Sequence, residues 1–325
     1  MSSHCSTHRA SQWRIALALS LLIFALSYAL PGWAAQTLSI GFQKGSGVLS
    51  VVKARGTLEK RLADQGVQVR WHEFPAGPQL LEALNAGSID FGYTGAPPPV
   101  FAQAAGIEMR YVGAIPAARD GEAILVPEDS PIRSVADLEG KRVAVQRGSS
   151  ANYLLVAALA HAGLDFKAIQ PAYLTPADAR AAFTNGNVDA WAVWDPYLSS
   201  AEHDLDVRVL ADYSELEPTY SFYEASSAFT EEHPALLREV LDELDQTAVW
   251  ASSHRDEVVS ILTKELGLPE AVIDAWQRKV DYSLVPISDA VIDNQQRVAN
   301  AFSDLRLIPA PVVVEEAFWR NGDDG

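Results

Sequence analysis

Two short segments about a hundred residues apart carry the same set of groups for holding an anion. Gln43-Lys44-Gly45-Ser46-Gly47 follows the apolar run Leu38-Ser39-Ile40, and Gln146-Arg147-Gly148-Ser149-Ser150 follows Val143-Ala144-Val145. If each segment opens a helix, it offers free first-turn N–H groups, a serine hydroxyl and the positive end of a helix dipole. Two such ends facing one another would grip an oxyanion from both sides. Two ordinary N-caps that meet only water are the alternative, and the repeated Gln-basic-Gly-Ser pattern favours the anion site. Lys44 and Arg147 either add positive potential or pair with surface acids.

A second pair of segments matches as well. Ala86-Gly87-Ser88-Ile89-Asp90-Phe91 leads into Thr94-Gly95-Ala96-Pro97, and Asn185-Gly186-Asn187-Val188-Asp189-Ala190 leads into Val193-Trp194-Asp195-Pro196. The offsets of 103 and 99 residues are too long for a solenoid and suit two similar α/β lobes. Thr94, Gly95 and Ala96 thus join Gln43, Ser46, Gly47, Gly148, Ser149 and Ser150 as expected cleft residues. Ala96 is the counterpart of Asp195, so one of two symmetric carboxylates is missing. Asp195 itself has three roles open to it: capping the helix at Pro196, bonding across the hinge, or repelling small inorganic anions. Trp191, Trp194, Tyr153 and Tyr223 are candidates to cover an organic tail. Alternation along Ala190 to Trp194 sends Trp194 toward the cleft and leaves Trp191 to fill the core.

The elements that must position these groups alternate between strand and helix. Strands are expected at Thr37–Phe42, Val67–Phe74, Ile89–Tyr93, Met109–Ile115, Ala123–Val126, Val143–Val145, Ala172–Leu174, Ala190–Trp194 and Val207–Leu210, with helices between most of them, the first running from Val48 to Gln65. That order implies parallel sheets with ligands at the carboxyl ends of the strands. From Pro234 onward four amphipathic helices follow, and they bury their apolar faces best by packing back on the first lobe. Lobe I is therefore expected over residues 35–124 and 225–325 and lobe II over 125–224, with two short crossovers forming a hinge. About 290 residues are more than one comfortable core, in keeping with two lobes.

The N-terminus specifies a compartment. Arg9 and Arg14 precede an apolar run of 16 residues from Ile15 to Leu30, and Pro31-Gly32-Trp33-Ala34-Ala35 supplies small residues for cleavage after Ala34. The run is short for a permanent membrane span, so residues 1–34 are expected to be a cleaved signal peptide and the protein periplasmic. Cys5, the only cysteine, leaves with it, and it precedes the apolar run where a lipidated cysteine would follow it. The mature chain keeps 23 of the 25 basic residues and all 42 acidic ones, and 23 minus 42 gives −19. Such a surface repels nucleic acid and anionic lipid. His72, His161, His203, His233 and His254 lack metal-ligand spacing, and no Gly-x-Ser-x-Gly elbow occurs. No catalytic residue, metal or cofactor is expected, although the fold alone does not exclude an enzyme.

Longer blocks carry a resemblance to a known family. Glu73-Phe74-Pro75-Ala76-Gly77-Pro78-Gln79-Leu80-Leu81-Glu82-Ala83-Leu84-Asn85, Pro98-Pro99-Val100-Phe101-Ala102-Gln103-Ala104-Ala105-Gly106, Ile132-Arg133-Ser134-Val135-Ala136-Asp137-Leu138, Pro176-Ala177-Asp178-Ala179-Arg180-Ala181-Ala182-Phe183 and Trp194-Asp195-Pro196-Tyr197 resemble the aliphatic-sulfonate-binding proteins of bacterial ABC importers. The resemblance spans the mature chain and implies a type II periplasmic-binding-protein fold. It also implies a soluble, monomeric receptor that delivers an organosulfonate to a membrane permease and its ATPase. Ala96 departs from the pattern, since close relatives often have Asp or Glu after Thr-Gly. Taurine, a sulfate ester, nitrate or a thiamine precursor remain alternative ligands. The exported protein should start near Ala35, purify in soluble form and give no thiol titration; an uncleaved N-terminus in the membrane fraction would overturn the periplasmic expectation.

Overall fold

The computed structural model describes residues 36–320; the expected signal peptide, with Cys5, lies outside the described residues. Ten strands follow one another as β1 (Gln36–Phe42), β2 (Val67–Glu73), β3 (Phe91–Gly95), β4 (Met109–Pro116), β5 (Glu122–Pro127), β6 (Arg142–Val145), β7 (Gln170–Tyr173), β8 (Ala190–Trp194), β9 (Val207–Ala211) and β10 (Tyr220–Ser226). They form two five-stranded sheets, β2-β1-β3-β10-β4 and β7-β6-β8-β5-β9. The two orders are the same once β10 and β5 are exchanged, which is the structural form of the internal repeat.

Each sheet is mixed, where the alternation of strands and helices had implied a parallel one. β1 and β3 run parallel, as do β6 with both β7 and β8, but β10 is antiparallel to β3 and β4, and β5 is antiparallel to β8 and β9. The reason lies in how those two strands arrive. Parallel neighbours need a long crossover, usually a helix, whereas β5 and β10 enter through short segments of turns and bends from the other lobe, residues 117–121 and 212–219. The lobe limits also shift. All of β5 pairs in the second sheet and all of β10 in the first, so the chain changes lobes before Glu122 and before Tyr220, not at 124/125 and 224/225.

The two crossing segments are tied to each other. The Ala117 N–H donates to the Thr219 carbonyl at 3.0 Å, the Tyr213 N–H to the Arg119 carbonyl at 3.0 Å, and the Arg119 guanidinium to the Tyr213 carbonyl at 3.0 Å. They form a two-strand hinge that can bend as a unit.

Helices cover both sheets. The helix expected from Val48 to Gln65 is broken at Gly56, which takes the left-handed conformation (φ 60°) and separates Val48–Arg55 from Thr57–Leu62. The C-terminal helices Pro234–Ser253 and Arg255–Leu266 bury Leu237, Leu244, Val258 and Leu262 in one core with Leu38, Val51 and Val52 of the first lobe. Glu270–Gln277 and Asp289–Asp304 complete the helical third. In the second lobe Trp191 is 1% exposed and packs on Phe183 with ring centres 6.0 Å apart, filling the core as expected. Trp191→Ala should cost about 3–5 kcal/mol of folding stability, read as a fall in melting temperature without ligand. A loss under about 1 kcal/mol would show that the second lobe does not depend on this side chain.

Candidate functional site: the interlobe cavity

A cavity of about 120 Å³ lies between the lobes, and the hinge forms part of its wall through Pro116, Ala117, Ala118 and Gly121. Of the residues expected in the cleft, Gln43, Gly47, Gly95, Ser149, Ser150, Trp194 and Asp195 line it. The starts of two helices therefore meet the same space from opposite lobes. Gly47 (φ 51°) precedes the helix Val48–Arg55, and Ser149 caps the helix Ser150–His161 by accepting the Asn152 N–H at 3.2 Å. The Leu49 N–H donates to the Ser46 carbonyl at 3.0 Å, the Ser50 N–H to the Gly47 carbonyl at 3.1 Å and the Asn152 N–H to the Ser149 carbonyl at 3.0 Å, so only the N–H groups at the very start of each helix are left for a ligand.

Glycine allows the lobes to approach so closely. A Cβ on Gly45 would fall 2.5 Å from the Asp195 carbonyl oxygen, and one on Gly95 would fall 2.7 Å from the Ser150 Cβ. Gly148 (φ 69°) lies against the Phe101 ring, where a Cβ would come within 3.3 Å. All three contacts cross from one lobe to the other.

Five expected site residues do not line the cavity, and their surroundings explain why. Ser46 is fully buried, and its Oγ accepts the Gln43 N–H at 2.7 Å, closing the turn. Thr94 alternates away from the cavity, and its hydroxyl donates to Glu224 at 2.6 Å, while its neighbours Tyr93 and Gly95 face the ligand space. Glu224 is fully buried at the centre of the first sheet, and burial pushes its carboxyl well above the usual range. Ala96 is packed core, its carbonyl accepting the Gln295 amide at 2.7 Å. Tyr223 is fully buried and stacks on Phe91 with ring centres 5.6 Å apart. Gly148 supports the loop and Phe101, and its N–H donates to Asn152 at 3.0 Å. Tyr153 is likewise buried, beside Phe302. Arg147 lies over the Tyr173 ring, 5.7 Å from its centre.

The asymmetry between Ala96 and Asp195 comes from their surroundings. Asp195 is buried, and its Oδ1 accepts the Ser199 N–H at 2.9 Å and the Ser199 hydroxyl at 2.6 Å, tying down the first turn of the helix Tyr197–Asp204. Its Oδ2 lies 3.1 Å from the Lys279 ammonium, which also approaches Glu202 at 3.5 Å. Burial raises the Asp195 carboxyl, while Lys279 and Ser199 pull it down. Lys279 follows the helix Glu270–Gln277 of the first lobe, so the ion pair joins the two lobes. Asp195 thus both caps and bridges. A carboxylate at Ala96 would be buried without a cation, which is costly; Ala96→Asp is expected to lower the melting temperature measured without ligand.

Sequence reasoning missed Tyr93, Glu122, Ser221, Trp276, Lys279 and Asp281, which all line the cavity. Placing the end of β3 at Gly95 and not Tyr93 would have recovered Tyr93 by alternation. Trp276 and Lys279 reach the cleft through packing between distant segments, for which the sequence has no local signal. Among the described residues, no group of three His, Cys, Asp or Glu is placed to hold a metal ion.

Two α/β lobes joined by a double crossover, with a cavity between them, define the bilobal ligand-receptor class of fold. The chain belongs to the NMT1/THI5-like family, whose model matches residues 62–258. Its similarity to a protein of Escherichia coli (strain K12) that carries the name of an aliphatic sulfonates-binding protein is 45% identity, covering 94% of this chain and 96% of that one. The alkanesulfonate-binding protein SsuA from Xanthomonas axonopodis pv. citri, solved bound to MOPS, superposes with a TM-score of 0.84 at 43% identity, covering 89% of this chain and 100% of that one. The periplasmic aliphatic sulphonate binding protein SsuA from Escherichia coli does so with a TM-score of 0.79 at 46% identity, covering 88% and 92%.

The glycine contacts give a test of closure. Gly45→Ala should weaken ligand binding by at least about tenfold, equivalent to 1.4 kcal/mol, because the added methyl blocks the approach to Asp195. Stability without ligand should change by less than about 1 kcal/mol, since each lobe keeps its own core. Calorimetric titration and thermal melting together decide the point; unchanged affinity would mean that binding does not require this contact.

Proposed function

We propose that this chain is a periplasmic receptor that captures an aliphatic sulfonate between its lobes and presents the closed form to the permease and ATPase of an ABC importer. One observation carries the reading: two helix N-termini from opposite lobes, at Gly47-Val48 and Ser149-Ser150, line the same cavity. A sulfonate is charged at all physiological pH values and presents three acceptor oxygens, so convergent backbone N–H groups and hydroxyls suit it. Gln43, Gly47, Gly95, Ser149 and Ser150 supply the polar contacts in this proposal. Trp194, edge-on to Tyr197 with ring centres 6.0 Å apart, and Trp276 cover the organic tail. The named ligand classes of the similar proteins support the same chemistry. The ligand touches both lobes only when they meet, so binding favours the closed state. The receptor acts as a monomer, since its site is complete within one chain.

The reading includes no catalysis. The cavity lining contains neither Cys nor His, and its one lysine is engaged by Asp195 and Glu202. A thermal-shift screen with short alkanesulfonates, taurine, sulfate, nitrate and thiamine precursors would identify the ligand. A ligand at a hundred times its dissociation constant adds about 2.7 kcal/mol of stability, and a response to sulfate or nitrate with none to alkanesulfonates would refute the proposal.

Ser149→Asp is the sharper test. Two like charges about 4 Å apart at an effective dielectric near 20 repel by roughly 4 kcal/mol, close to a thousandfold in affinity. Aspartate can still accept the capping N–H, but it loses the hydrogen bond that the buried Ser149 hydroxyl donates to the Gln146 carbonyl at 2.7 Å, so a thermal melt without ligand checks that the variant is folded before it is titrated. Calorimetric titration with ethanesulfonate showing wild-type affinity in this variant would place the anion elsewhere.

A further inference from the structure

Four charged side chains line the cavity: Lys279, Asp195, Asp281 and Glu122. Lys279 is engaged by Asp195 and by Glu202. Glu122 has no such partner. It is the first residue of β5, paired with Trp194 of β8 and one residue beyond the crossing segment 117–121. Its Oε2 is buried and makes no hydrogen bond. The groups that face it come from every neighbouring element. The Ser150 hydroxyl bonds it from the start of the helix Ser150–His161, and Asp195 at the end of β8 opposes it with like charge. From β3 and the second crossing segment come the phenols of Tyr93 and Tyr213, both of which it pushes up. A carboxylate therefore stands beside the helix start at which an anion is expected, and the charge that acts on it, that of Asp195, is negative.

A bound anion and an ionised Glu122 cannot share this space cheaply. At about 4 Å their repulsion is worth roughly a thousandfold in affinity. We propose that Glu122 serves the ligand as a carboxylic acid: one proton from solvent is taken up on Oε2 as the anion enters, and the resulting O–H donates to a ligand oxygen, so that capture of one anion is coupled to uptake of one proton. The orphaned Oε2 then has a partner, and the ligand gains a donor that no fixed cation supplies. Protonation near neutral pH comes at little cost, because burial, opposed by the Ser150 hydroxyl and reinforced by Asp195, holds this carboxyl up at about 7.

The inference rests on the anion-binding reading of the cavity, and the experiment separates the two. Ethanesulfonate is titrated calorimetrically into the mature protein from pH 6 to pH 9, in two amine buffers of different ionisation enthalpy, neither of them a sulfonate. Affinity should be nearly constant toward pH 6 and fall by about tenfold per pH unit above pH 8. Proton uptake at pH 8, from the difference between buffers, should approach one per ligand. Glu122→Gln keeps a donor without titrating, so it should bind with no pH slope over this range and no proton uptake; its melting curve without ligand reports that it is folded. A wild-type protein with pH-independent affinity and no proton uptake would overturn the inference while leaving the sulfonate receptor intact. So would a pH slope that survives in Glu122→Gln, since another group would then carry the proton. Binding that strengthens as pH rises, with a preference for aminoalkanesulfonates, would overturn it too, by showing Glu122 ionised against a ligand ammonium. No binding at any pH would sink both readings.

Discussion

Where Gly45 packs on the carbonyl of Asp195, and Gly95 on Ser150, the backbones of the two lobes come too close for any side chain to stand between them. The rest of the site depends on that approach. Helix N-termini act over short distances, because the partial charge resides on the last free N–H groups and fades within a turn. Two such ends can share one ligand only if nothing bulky keeps the lobes apart. Lys279 adds an attraction across the same gap. It brings a cation from the first lobe to Asp195 of the second, while Ser199 holds Asp195 in place. The ion pair is largely desolvated, so its net contribution to stability is small compared with the geometry it enforces.

The hinge meets the opposite requirement. Residues 117–121 and 212–219 must bend, yet their backbone groups cannot go unpaired. They bond to each other at Ala117–Thr219 and Tyr213–Arg119, so the pair can flex without breaking those bonds. Each crossing delivers its strand antiparallel into the receiving sheet, and the same connection thus accounts for both the mixed sheets and the movable joint.

Much of this was legible in the sequence, and the failures have physical causes. The strand-helix order, the two lobes and the loops at Gly45 and Gly148 follow from local patterns, which report local structure well. The direction of β5 and β10 does not, because it is set by a connection between lobes. Thr94 and Ala96 were assigned to the cleft by matching them to the second lobe. The match placed their backbones correctly, but a period of two sends Thr94 inward to Glu224, and the absence of a cation beside Ala96 makes an apolar side chain the stable choice there. Tyr223 looked like a ligand-covering aromatic, yet it lies on β10, an interior strand of the first sheet, and stacks on Phe91. Lys279 and Trp276 come from a helical segment more than eighty residues beyond β8, and their place in the cleft exists only once the C-terminal third has packed on the first lobe.

The charge balance raises a further question, since 42 acidic residues surround a site proposed for an anion. Exposed charges are screened within about 8–10 Å at physiological ionic strength, so most of that acidity does not reach the cavity between the lobes. Inside it, cations are a poor means of attraction. Any free Lys or Arg there would be drawn to the neighbouring carboxylates, as Lys279 is drawn to Asp195 and Glu202. Arg147, beside the helix start in sequence, is occupied on the Tyr173 ring. The backbone N–H groups at the helix starts behave differently. Their dipoles are fixed by the helices that carry them, and no surface acid can neutralise them. An acidic protein can therefore keep an anion site by building it from helix ends, provided that Glu122, beside one of those ends, does not enter the closed state as a second negative charge.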